Sequence, residues 1–167
     1  MTRYEPRAID PAALKELRET DDAGRACSPY TATDAGSPLR CCLRGHEVGE
    51  RIALVSYAPL RRWAAANWAR PGAYDEQGPV FIHAEECEGP AAERPGYPFS
   101  RAGALRTVRR YNAEGHIVGG RLMEIPADEE RGYDEALTEA FADPEVVLVH
   151  VRAVEYGCWH FEVRRPV

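Results

Sequence analysis

The run Val146-Val147-Leu148-Val149-His150-Val151-Arg152-Ala153-Val154 is the densest β-branched stretch in the chain. A turn at Glu155-Tyr156-Gly157 follows, and then Cys158-Trp159-His160-Phe161-Glu162-Val163-Arg164, which alternates polar and apolar residues. Two such runs about a short glycine-containing turn predict a β-hairpin. A first strand this apolar suits the middle of a sheet, so the other strands are expected to arrange themselves around it.

The rest of the chain reads as short strands with few helices. Alternation predicts strands over 39–44, 51–57, 79–84, 104–111 and 116–125, with a short first strand over 3–9 and an edge strand near 30–33. Asp10-Pro11 opens a helix that ends before Gly24, with Asp10 as N-cap and Pro11 in the first turn. Tyr133, Ala136, Leu137, Ala140 and Phe141 recur at helical spacing, which predicts a helix over 128–142. Residues 61–77 read as a short helix and a loop, and 85–103 as a second long loop. Most consecutive strands are joined by short turns. The expected fold is therefore α+β: a largely antiparallel sheet of about seven strands, with two or three helices covering one face. At 167 residues the chain suits a single domain spanning 1–167.

Composition excludes several classes. A net charge of -6 argues against nucleic acid as a partner. No run approaches 18 apolar residues, so no membrane span is expected. The opening residues lack the apolar core of an export signal, and the five cysteines are an odd count. Both point to a cytoplasmic setting with reduced thiols. No glycine-rich phosphate loop, G-x-S-x-G elbow or H-E-x-x-H occurs, and no cofactor is expected. The nearest approaches to metal-ligand spacing are His83 to Cys87 and Cys158-Trp159-His160. Neither matches a standard zinc pattern, so spacing alone assigns no metal ligand.

Alternation also sorts the chemistry-bearing residues. Leu39, Cys41 and Leu43 share one face of their strand, with Arg40, Cys42 and Arg44 on the other. By the same rule His83 opposes Val80 and Ile82. His150 and Arg152 oppose Val149 and Val151, while Cys158 and His160 oppose Trp159, Phe161 and Val163. If the apolar faces meet the helices, then Arg40, Cys42, His83, His150, Arg152, Cys158 and His160 line the other side, where the two long loops can close a pocket. There His83 and His150 would act as acid and base, and Cys158 or Cys42 as a nucleophile. Arg40 and Arg152 would hold a carboxylate or phosphate. His150 and Cys158 are expected to lie close together, and Cys41 and Cys42 in different environments. The plainer readings are a small core cysteine, a hydrogen-bonded structural histidine and a solvated arginine face.

Several segments, taken in order, resemble one family. They are Pro38-Leu39-Arg40-Cys41-Cys42-Leu43-Arg44, Gly49-Glu50-Arg51 running on to Ser56-Tyr57, and Gly78-Pro79-Val80-Phe81-Ile82-His83. Further along come Tyr111-Asn112-Ala113-Glu114-Gly115, Ala142-Asp143-Pro144-Glu145, His150-Val151-Arg152 and Tyr156-Gly157-Cys158-Trp159. Order and spacing resemble the bacterial family catalogued as domain of unknown function 1203, over roughly residues 36–165. That family typically opens Pro-Cys-Arg. Here Leu39 stands in place of the Cys, while Arg40 and Cys42 match, which argues against a mechanism that needs the first thiol. The resemblance implies a bacterial α+β domain and brings no activity with it. The residues themselves lead to a cofactor-independent enzyme acting on a small anionic metabolite. The alternatives are a non-catalytic small-molecule binding protein and a His/Cys metal site on the same face.

Overall fold

The structure is a computed structural model and describes residues 2–167. In chain order the elements are α1 (Pro11–Leu17), β1 (Tyr30–Thr31), β2 (Pro38–Leu39), β3 (Arg44–Gly45), β4 (Arg51–Tyr57) and α2 (Pro59–Asn67). After a single 3-10 turn at Gly72–Tyr74 come β5 (Gly78–His83), β6 (Leu105–Tyr111), β7 (Ile117–Glu124), α3 (Glu129–Ala142), β8 (Leu148–Ala153) and β9 (Trp159–Arg164).

The C-terminal hairpin forms, with β8 antiparallel to β9, and β6 pairs with the other edge of β8. The expectation of one seven-strand sheet is corrected. The described residues form two sheets, a four-stranded one ordered β7-β6-β8-β9 and a five-stranded one ordered β1-β4-β5-β2-β3. All pairings are antiparallel except β2 with β5. The reason lies in β8, which is buried on both faces. Val149 and Val151 pack with Tyr133, Ala136, Leu137 and Ala140 of α3. On the opposite face Leu148 packs with Tyr111 and with Leu60, Trp63 and Ala64 of α2. A strand of this kind needs cover on both sides. The helices therefore do not share one face, which corrects the second part of that expectation.

A bulge at the start of β9 re-aims the hairpin. Val151 pairs with Phe161 but Arg152 pairs with Trp159, leaving His160 as the extra residue. Trp159 consequently leaves the face of Phe161 and Val163. It enters the layer between the sheets, edge-on to Tyr57 at 5.2 Å. Segment 3–9 does not form the expected strand; it makes only an isolated bridge from Arg7 to Glu162. Among the described residues no helix is long and apolar enough to cross a membrane.

The N-terminal turn of α3 contains Gly132, where an added Cβ would clash with the Pro126 ring. In an open helix, Gly→Ala gains about 1 kcal/mol. Here the Pro126 ring would have to move, and overpacking costs roughly 1–3 kcal/mol. Gly132→Ala is therefore expected to lower the melting temperature; a rise in thermal scans would show that the ring yields freely.

Candidate metal centre

Segment 39–44, expected as one continuous strand, is a hairpin. β2 ends at Leu39, residues 40–43 turn, and β3 starts at Arg44. The Leu43 N–H donates to the Leu39 carbonyl at 2.9 Å, and Leu43 takes the left-handed conformation with φ 59°. Alternation does not hold inside a turn. Cys41 and Cys42 are both buried, with their Sγ atoms 3.9 Å apart, so the expectation of separate environments is corrected.

The end of β5 brings His83 to this turn. Its backbone N–H donates to Cys41 Sγ at 3.2 Å. Its ring Nδ1 lies 3.3 Å from Cys41 Sγ and 3.8 Å from Cys42 Sγ. The loop after β5 adds Cys87, and the four ligand atoms of Cys41, Cys42, His83 and Cys87 lie within 4.8 Å of one another. All five cysteines of the chain are free thiols.

Glu50 sets the orientation of the ring. Its Oε1 lies 3.0 Å from His83 Nε2. Both of its oxygens are gripped by Arg44, and its Oε2 also accepts the Glu47 N–H at 2.7 Å. The Arg44 hydrogen bonds, ahead of every other cause, hold the Glu50 carboxyl well below the usual range. An ionised carboxylate only accepts, so Nε2 carries the proton and donates it. Arg44 Nη2, 3.3 Å from Nε2, is then a neighbour donating to the same carboxylate. Nδ1 is left facing the sulfurs. Between the thiols, the hydrogen bond from Cys41 favours a thiolate on Cys42 and pushes the Cys41 thiol up. A depression of about 470 Å³ lined by Cys42, Arg44, Glu50, His83 and Cys87 opens to solvent beside them.

The remaining candidate residues fall elsewhere. His150, on the other sheet, is fully buried, packed edge-on against Tyr111 at 4.8 Å and Trp159 at 6.1 Å. Cys158 stands across from Ala153, whose N–H binds the Cys158 carbonyl, three residues along the strand from His150. Its Sγ lies 3.8 Å from the Tyr156 carbonyl. The expected His150–Cys158 pair is thus not assembled. Arg152 donates to the Gly157 carbonyl at 3.0 Å and lies 3.7 Å from Glu76. The pocket proposed above His150 is instead an interior layer, because α2 and the second sheet cover that face.

Arg40 is buried, and its guanidinium donates to the Trp159 carbonyl at 2.8 Å and the Pro38 carbonyl at 2.5 Å. It ties the cysteine turn to β9. Hydrogen bonds to charged groups contribute about 1.5–3 kcal/mol each. Arg40→Ala is expected to lose roughly 3 kcal/mol, or about 6–12 °C in melting temperature for a chain of this size. An unchanged melting temperature would refute that structural role.

Sequence reasoning placed His83 and Cys42 among the site residues but passed over Cys41, Cys87 and Glu50. The His83–Cys87 spacing was the one available signal. It carries little until a turn brings two more sulfurs to the same point.

A family model described as a protein of unknown function, DUF1203, matches residues 36–165. No curated protein and no solved structure matches the chain.

Proposed function

Since this chain belongs to DUF1203, a family whose description names no activity, its function is read from its own atoms, and we propose that Cys41, Cys42, His83 and Cys87 bind zinc. One observation carries the reading. Ligands around a tetrahedral zinc stand about 3.8 Å apart for two sulfurs and about 3.6 Å apart for sulfur and nitrogen, given Zn–S of about 2.3 Å and Zn–N of about 2.0–2.1 Å. The distances here are 3.9 Å between Cys41 and Cys42 and 3.3 and 3.8 Å from those sulfurs to His83 Nδ1. The Glu50–His83 hydrogen bond supplies the outer carboxylate typical of metal-bound histidine. Three thiolates and one imidazole favour a soft or borderline metal over calcium or magnesium. Four protein ligands close the coordination sphere, which marks a structural site. Such a zinc would pin the start of the 85–103 loop to the cysteine turn, and a reducing, cytoplasmic setting suits it. Elemental analysis of protein purified without chelator tests this. About one zinc per chain is expected, falling towards zero in Cys87→Ser, whereas a metal-free protein would refute it.

A second reading rests on a different feature of the same atoms. Cys42, His83 and Glu50 form a thiol, imidazole and carboxylate series in which Cys42 would be the nucleophile and His83 the base, acting on a small anionic substrate beside Arg44. Alkylation separates the two. Iodoacetamide should label Cys42 slowly until a chelator is added; fast labelling unaffected by chelator would favour the enzyme.

A further inference from the structure

Within the zinc reading, on which this inference rests, the three sulfurs of the centre are not equivalent. Cys41 is held on two sides. Its Sγ accepts the His83 backbone N–H at 3.2 Å and lies 3.3 Å from His83 Nδ1. Its side chain is only 2% exposed. Cys42 and Cys87 both line the open depression of about 470 Å³, and Cys41 does not. Cys87 is half-buried on the loop after β5, where Glu85, Glu86 and Glu88 around it are exposed. A small oxidant entering the depression therefore meets Cys87 and Cys42.

Geometry also selects which pair of sulfurs can join. A disulfide suits Cα atoms about 4.4–6.8 Å apart, whereas neighbouring residues such as Cys41 and Cys42 stand only about 3.8 Å apart. A bond between those two would be strained. Joining Cys41 to Cys87 would pull Cys41 off the His83 N–H and out of an interior position. The Cys42 and Cys87 sulfurs lie within 4.8 Å of each other, so bonding them moves the loop by less than about 3 Å. The exposed residues on either side of Cys87 offer little packing against that movement.

We propose that the centre is a redox switch, in which hydrogen peroxide converts the zinc site to a Cys42–Cys87 disulfide and releases the metal. The Cys87 thiolate attacks one peroxide oxygen: the S–O bond forms, the O–O bond breaks, and the other oxygen leaves as hydroxide. The Cys42 thiolate then attacks the Cys87 sulfur: the S–S bond forms, the S–O bond breaks, and a second hydroxide leaves. Both thiolates are oxidised, the peroxide is reduced, and solvent protonates the hydroxides to water. Cys41 and His83 remain, too few ligands for a metal that takes four. The test adds hydrogen peroxide to purified protein whose zinc has first been measured. Zinc release is followed with a chromogenic chelator against an untreated control, and the disulfide is located by peptide mass mapping after alkylation. Zinc should leave in step with a disulfide between Cys42 and Cys87, with Cys41 recovered alkylated, and dithiothreitol with added zinc should restore the site. Cys27→Ser and Cys158→Ser lie outside the centre and should respond as the parent does. Zinc retained after peroxide, a disulfide between other cysteines, sulfinic acids without a disulfide, or loss of the response in Cys27→Ser or Cys158→Ser would overturn the switch and leave the zinc reading standing. Protein that carries no zinc before peroxide is added would overturn both.

Discussion

If Cys41, Cys42, His83 and Cys87 hold zinc as proposed, chelation is expected to lower the melting temperature by about 8–16 °C. A ligand present at a thousandfold its dissociation constant stabilises the folded state by about 4 kcal/mol, and each kcal/mol shifts the midpoint by about 2–4 °C at this chain length. The effect follows from what the metal would join: two sulfurs on the turn after β2, one nitrogen at the end of β5 and one sulfur on a loop. Scanning calorimetry with and without a strong chelator measures it, and Cys87→Ser should reproduce the chelated curve. Glu50→Gln leaves the four ligands in place but removes the charged acceptor at His83 Nε2. It should weaken zinc about 10- to 100-fold, as loss of outer-shell partners generally does. Coincident melting curves for treated and untreated parent protein would exclude a metal that stabilises the fold.

Acid is expected to destabilise the protein well above the carboxylate range, because two histidines are buried neutral. Burial, with Arg152 and Arg109 nearby, holds His150 well below its usual value of 6.5, and His160 is also depressed, to about 3. The unfolded chain binds protons at both sites as pH falls through 6.5, and the folded chain does not. Stability is therefore complete above pH 6.5 and lost below it, at up to about 1.4 kcal/mol per pH unit for each histidine. By pH 5 the loss is about 2 kcal/mol from each, a large share of the 5–15 kcal/mol that holds a typical protein folded. His150→Phe should remove about half of this acid slope. It should also raise stability at pH 7 by about 1–2 kcal/mol, since neither ring nitrogen of His150 has a partner. Urea melts of metal-free parent and variant at pH 7 and pH 5 isolate the term. Equal slopes for the two proteins would show that His150 is protonated, or hydrated, in the folded state.

Local pattern alone determined most of the elements. The strands at Arg51–Tyr57, Leu105–Tyr111 and Trp159–Arg164 and the helix Glu129–Ala142 fall within a residue or two of expectation. Pro59 marks the end of the first strand, Asn112-Ala113-Glu114-Gly115 the turn after the second, and Asp128 the start of the helix. Periodicity states which residues share a face, but not what covers that face. The apolar pattern of β8 is compatible with one covered face or two, and only packing against α2 and the second sheet made His150 an interior residue. A single extra residue at His160 moved Trp159 across the sheet, and a bulge of that kind leaves no period to read. The candidate metal centre depended still more on tertiary structure. Its candidate ligands come from a turn whose residues alternate like a strand, a strand end and a loop, so their sequence separations carry no zinc spacing. Cys41 and Cys42 converge because residues 40–43 close a hydrogen-bonded turn, and His83 meets them because β2 pairs in parallel with β5. Composition and order supplied the residue types available for a thiol–imidazole site. Long-range strand pairing, a choice no local propensity encodes, decided which of them meet.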